Sequence, residues 1–129
     1  MSRQRVSANR PWERVLGYSR AVRAGNVIEV SGTAAAGPDG EILAEGDVYG
    51  QAKEALRIIG EALAEAGASF GDVVRTRVLL ADVSTWEEAG RAHGEVFTDI
   101  RPANTTMGAA GFIDPRILVE IEATAILEA

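Results

Sequence analysis

The chain has 129 residues, 47 % of them hydrophobic and 25 % charged, with a net charge of −6, no cysteine and one histidine. That is enough for one domain with a buried core. The acidic balance disfavours an electrostatic grip on nucleic acid or an anionic membrane, and the missing thiols exclude cysteine catalysis, disulfides and cysteine zinc sites.

Residues 1–14 are polar and are expected over the surface, with a single domain spanning residues 15–129. Their lack of an apolar run argues against a signal peptide, and no window approaches a membrane span; cytoplasm is the default expectation. Leu16, Tyr18, Ala21 and Val22 alternate loosely, which predicts a short strand. Gly25-Asn26 is a two-residue hairpin signal, and residues 27–33 (VIEVSGT) read as the next strand. Pro38-Asp39-Gly40 is a turn, with a short extended piece after it.

Residues 47–66 form the clearest helix. Asp47 is placed to cap it, Gly67 to end it, and Ala52, Ala55, Leu56, Ile59, Ala62 and Leu63 recur at helical spacing. A strand is expected over 73–81. A second helix follows over 85–98, with Ser84 and Glu87 as a capping box and Trp86, Ala89, His93, Val96 and Phe97 on its apolar face. Residues 104–109 and 117–127 complete the pattern as strands. The order β-β-(β)-α-β-α-β-β predicts an α+β two-layer sandwich, a mixed sheet with two helices on one face. The other face needs cover, and valines and alanines on it would favour an oligomer.

The last strand carries Glu120 and Glu122 inside an apolar run. Two acids at consecutive same-face positions are costly against a core, so at least one must face solvent, a subunit boundary or a pocket.

In order, the chain shows Gly17-Tyr18-Ser19, Ala24-Gly25-Asn26, Val30-Ser31-Gly32, Gln51-Ala52, Ala66-Gly67-Ala68-Ser69, Asp72-Val73-Val74-Arg75-Thr76, Arg101-Pro102-Ala103 and Val119-Glu120-Ile121-Glu122-Ala123. This series resembles the Rid (reactive intermediate deaminase, YjgF) family across residues 15–127. The resemblance implies a chorismate-mutase-like fold and a homotrimer with small-molecule clefts at its subunit boundaries. It also implies hydrolysis of imines and enamines to 2-oxo acids and ammonia, with no metal and no cofactor. It assigns Tyr18 to the cleft wall, Ser31 to the Ser-Gly pair and Glu120 to the attacking water. The chain departs from the deaminating members where their carboxylate-clamping arginine is replaced by Asn104, which offers an amide but no charge. It departs again at Gly90, where they carry asparagine.

Each candidate has a plainer reading. Glu120 could orient water or be a solvated acid, and Tyr18 could touch a ligand or be a half-buried aromatic. Ser31 could donate to a carboxylate or simply be small. Asn104 and Thr106 could bind a neutral ligand or tie up a strand end. Arg101 could restore the missing charge or form a surface ion pair. His93 could act as acid or base, although a structural role suits an inner helix face. Two functions stay open: a hydrolase of small imines or related carbonyl compounds, and a non-catalytic trimer binding a small metabolite in the same cleft. Ribonuclease activity is disfavoured by the acidic charge and the single histidine.

Overall fold

The computed structural model describes residues 3–128. Six strands form one sheet in the order β1-β2-β3-β6-β4-β5: β1 (Arg3–Val6), β2 (Ala21–Ala24), β3 (Val27–Thr33), β4 (Val73–Leu80), β5 (Ala103–Gly108) and β6 (Val119–Ile126). Among the described residues only the β4–β5 pair is parallel; the other neighbours are antiparallel. Helices α2 (Val48–Glu65) and α3 (Trp86–Phe97) cover one face, and a short α1 (Pro11–Leu16) stands before β2. This is the expected α+β two-layer sandwich with an open, mixed sheet.

Local sequence explains most of the elements. Gly25 takes φ 63° in the two-residue turn joining β2 and β3, a conformation a side chain resists. The Asp47 side chain accepts from the Gly50 amide and caps α2. Along α2 the apolar stripe is buried, while Arg57 pairs outward with Glu54 and Glu61. The core joins Ile28 and Val30 of β3, Val78 and Leu80 of β4, and Val119, Ile121, Ala123 and Ala125 of β6 to Leu56, Ile59 and Leu63 of α2 and Phe97 of α3. Each large aliphatic side chain in it contributes about 1.5–3 kcal/mol of burial.

Several expectations are corrected. Residues 3–6 lie within the stretch expected on the surface, yet they pair with β2 as an edge strand, and Val6 is buried. Residues 11–16 are helical because Pro11 opens the turn and the Glu13 carboxylate reaches back to the amides of Ala8 and Arg10. Ser84 does not cap α3: it lies in a 3-10 turn, Val83–Thr85, whose own cap is Asp82. Trp86 is 55 % exposed rather than packed inward. The extended piece after the Pro38 turn shrinks to one bridge, Ala36 to Ile42. The uncovered sheet face is mixed rather than a continuous valine and alanine surface: Leu79 and the exposed Ile126 share it with the Arg77–Glu122 ion pair at 3.1 Å and a Thr124 hydroxyl bonded to Glu29.

One buried side chain ties the two layers together. Gln51, fully enclosed on α2, donates to the Arg116 carbonyl at 3.0 Å and accepts from the Leu118 amide at 2.8 Å. It therefore fixes where β6 begins. Gln51→Leu should keep the volume but orphan two backbone groups, lowering the unfolding free energy by about 2–3 kcal/mol; urea titration checks this, and an unchanged midpoint with unchanged slope refutes it.

Candidate functional site

Strand β6 alternates strictly. Val119, Ile121 and Ala123 face the helices, so Glu120 and Glu122 face the other way. The two acids then part company. Glu122 is held by Arg77, its directly opposite partner on β4. Glu120 has no ion pair among the described residues and lies beside β3.

Strand β3 makes room for it. Its register against β6 runs from Val30–Ala123 to Thr33–Ile121, so an extra residue bulges at Ser31-Gly32. A Cβ on Gly32 would stand 2.7 Å from Glu120 Oε1. The Ser-Gly pair is thus explained by close approach: any larger residue pushes the carboxylate away. The Ser31 hydroxyl donates to the Ser19 carbonyl at 2.7 Å, and its amide donates to the Arg20 carbonyl at 2.9 Å. Ser31 therefore positions the Tyr18–Arg20 segment, and its proton is already engaged.

These groups line one cavity of about 310 Å³, with Arg10, Tyr18, Arg20, Ser31, Glu120 and Glu122 among its polar groups and Trp12, Ile58 and Ile117 among its apolar walls. Arg20 is nine-tenths buried; its guanidinium carbon is 5.4 Å from the Tyr18 ring centroid. Burial pushes the Glu120 carboxyl above the ordinary glutamate value; Arg20 opposes this and Glu122 adds to it. Burial also pushes the Tyr18 phenol up, against Arg20 and with Glu13 and Glu120. A half-buried carboxylate that resists ionisation, next to a phenol and a guanidinium, can accept a proton from water while neighbouring donors steady a polar ligand.

The remaining predicted residues form a separate cluster. Asn104 Nδ2 donates to Thr76 Oγ1 at 3.0 Å, Thr106 Oγ1 donates to Asn104 Oδ1 at 2.9 Å, and His93 Nε2 lies 2.8 Å from Thr76 Oγ1. Thr76 is buried on the helix-covered face, whereas Glu120, opposite Leu79, is on the other. Within one chain, Asn104 and Glu120 therefore belong to opposite sides of the sheet. Burial holds His93 below the ordinary imidazole value, and its ring stacks 4.6 Å from Phe97, which suits a neutral structural histidine. Arg101 is exposed, takes φ 59°, and closes α3 through its amide bond to the Phe97 carbonyl at 2.8 Å. Among the described residues no group of His, Cys, Asp and Glu is arranged to hold a metal ion, and no helix is long and apolar enough to cross a membrane.

Sequence reasoning missed Arg20 and Trp12. The signal for Arg20 was its parity: it is two residues from Tyr18, on the same side of an extended segment. Trp12 gave none, because its position depends on a helix that was not expected.

The family model described as Endoribonuclease L-PSP matches residues 8–127. An uncharacterised protein of Streptomyces coelicolor is 43 % identical over 95 % of this chain and 90 % of its own length. The 2-iminobutanoate/2-iminopropanoate deaminase of Mus musculus is 37 % identical over 84 % of this chain and 80 % of its own. Among solved structures, a Mycobacterium tuberculosis member of the YjgF/YER057c/UK114 family superposes with a TM-score of 0.87 at 42 % identity, covering 98 % of this chain and 100 % of that one. Escherichia coli TdcF with bound serine superposes with a TM-score of 0.77 at 26 % identity, covering 86 % and 88 %. With a matching family model over nearly its whole length, close sequence relatives and the same fold, this chain belongs to the Rid (YjgF) family.

Proposed function

We propose that the cavity around Glu120 is the core of a hydrolytic site acting on a small imine, enamine or related carbonyl compound. The observation that carries this reading is the Glu120 carboxylate, half-buried and held against the Gly32 backbone beside Tyr18 and Arg20. Glu120 takes a proton from water as the water oxygen bonds to the C=N carbon, and passes that proton to the imine nitrogen, giving a neutral carbinolamine. Glu120 then carries the carbinolamine hydroxyl proton to nitrogen as the C–N bond breaks, so ammonia leaves, the C=O bond forms and the carboxylate is regenerated. The imine deaminases among the relatives support this reaction class.

In this reading the site is completed across a subunit boundary in a homotrimer. Strand β5 supports it: it is a sheet edge, exposed at five of its six positions, and it carries Asn104 and Thr106 where a neighbouring copy can use them. Sedimentation should give three times the chain mass of 13.6 kDa; a monomer at micromolar concentration contradicts the shared cleft. The second reading, a cleft that binds a metabolite without turning it over, draws on Asn104 standing where the deaminating members have arginine. An assay with 2-iminopropanoate separates the two, since saturable binding by calorimetry with no accelerated ammonia release supports binding alone.

Glu120→Gln should lower kcat by about 10²- to 10⁴-fold, the usual worth of a positioned acid or base; retained turnover sinks the role. The same variant should be more heat-stable than the parent at neutral pH. The raised folded-state pKa means that stability is full below the ordinary glutamate value of 4.5 and falls as pH climbs through the raised one. The stability gap should therefore close in acid, and thermal melts across pH 3–8 (on the order of the glutamate range) read it directly. Gly32→Ala gives an independent check. The clash is with the end of a flexible side chain, so stability should change by less than about 1 kcal/mol while turnover falls as far as in Glu120→Gln. Full activity in Gly32→Ala would show that the close approach is not needed.

A further inference from the structure

The cavity holds a cation that the family resemblance did not assign. Arg20 is 4 % exposed; its Nη1 donates to the Gly32 carbonyl at 2.8 Å and to Thr33 Oγ1 at 2.7 Å, and its guanidinium also bonds the neighbouring Tyr18 hydroxyl, lowering the phenol's pKa against the effect of burial. Its Nε is buried without a hydrogen-bond partner among the described residues. A guanidinium is planar, and its Nε–H points the same way as one N–H of Nη2, forming a two-pronged edge suited to a carboxylate. Anchoring through Nη1 leaves the Nε side of that edge without a hydrogen-bond partner among the described residues, with the Tyr18 hydroxyl the neighbouring polar group. No acid is within ion-pair distance of Arg20 among the described residues, although it lines the same cavity as Glu120. Burying a guanidinium with an unpaired edge is unfavourable unless something else satisfies it.

We propose that the Nε/Nη2 edge of Arg20 is the carboxylate-recognising group of this cleft, supplying from the residue that precedes β2 the charge that Asn104 does not bring from β5. The ligand is accordingly a small organic carboxylate with a carbonyl or imine carbon that reaches Glu120. This rests on the reading of the cavity as a ligand site. The alternative cation on the wall is already occupied: Arg10 donates through Nε to the Ala36 carbonyl at 2.8 Å and through Nη1 to the Ala8 carbonyl. The Asn104 amide is likewise bonded at both ends, to Thr76 and Thr106.

The test compares two probes of one shape, 2-oxobutanoate and its uncharged amide, by calorimetry on the full-length chain. The parent should bind the acid at least about tenfold tighter than the amide, and Arg20→Gln should weaken the acid by about 10- to 100-fold, the worth of charge-assisted hydrogen bonds. Affinity for the amide should hold within about threefold. Because Arg20 also braces Gly32 and Thr33, a purely structural role would weaken both probes equally and overturn the assignment. So would a parent with no preference for the acid, or a loss that follows Arg10→Gln instead. Should Arg20→Gln fail to fold, Arg20→Lys decides: it keeps the charge but not the fork, and must weaken the acid selectively. Ammonia release from 2-iminopropanoate is read alongside the calorimetry. Absent hydrolysis leaves the assignment standing, whereas hydrolysis with an unchanged acid preference in Arg20→Gln removes it and keeps the hydrolase.

Discussion

Strand β6 is hydrogen-bonded on both sides, to β3 and to β4, and everything else is arranged around its two-residue period. Four apolar side chains on one face hold the helices. The same backbone then has no choice about where Glu120 and Glu122 point. A register slip of one residue would bury both acids and expose the core at once. The Gln51 clamp at the start of the strand guards against that slip from the helix layer. Packing and site are therefore two readings of one alternation.

The two acids differ through their neighbours rather than their positions. Arg77 neutralises Glu122 from the adjacent strand. Beside Glu120 the neighbour is a bulged strand with a glycine at the point of contact, and the nearby guanidinium is anchored to backbone instead. The result is a pair of opposite charges in one cavity, each incompletely satisfied. Such an arrangement is unfavourable for folding and useful for chemistry, and the well-packed core offsets it.

What the sequence revealed follows the range of the interactions. The Asp47 cap, the α2 stripe and the Gly25-Asn26 turn rest on neighbours a few residues apart, and all were readable. The final strand's acids were readable as a problem, because period and polarity conflict within one segment. Helix α1 was hidden because most of it lies in residues 1–14, which read as a polar surface segment, and only its end touches the stretch from Leu16 that alternates as a strand would. Its local cue was Pro11 followed by Glu13, whose carboxylate folds back onto the chain. That Asn104 and Glu120 lie on opposite faces was not readable, since it depends on how β5 registers with β4 and β4 with β6. The missing partner of Arg20 depends on three segments meeting, and no spacing in the chain encodes it.

The two sheet edges are unlike. Strand β1 is four residues long, with Arg3, Gln4 and Arg5 exposed, while β5 is six residues long and runs parallel to its neighbour. An open filament needs one edge of each molecule to accept the other edge of the next, over and over. A short edge bearing two cations is a poor acceptor for that repeat. The asymmetry lets the chain leave one long edge uncovered without inviting polymerisation, so any association through β5 is steered toward finite, self-closing particles.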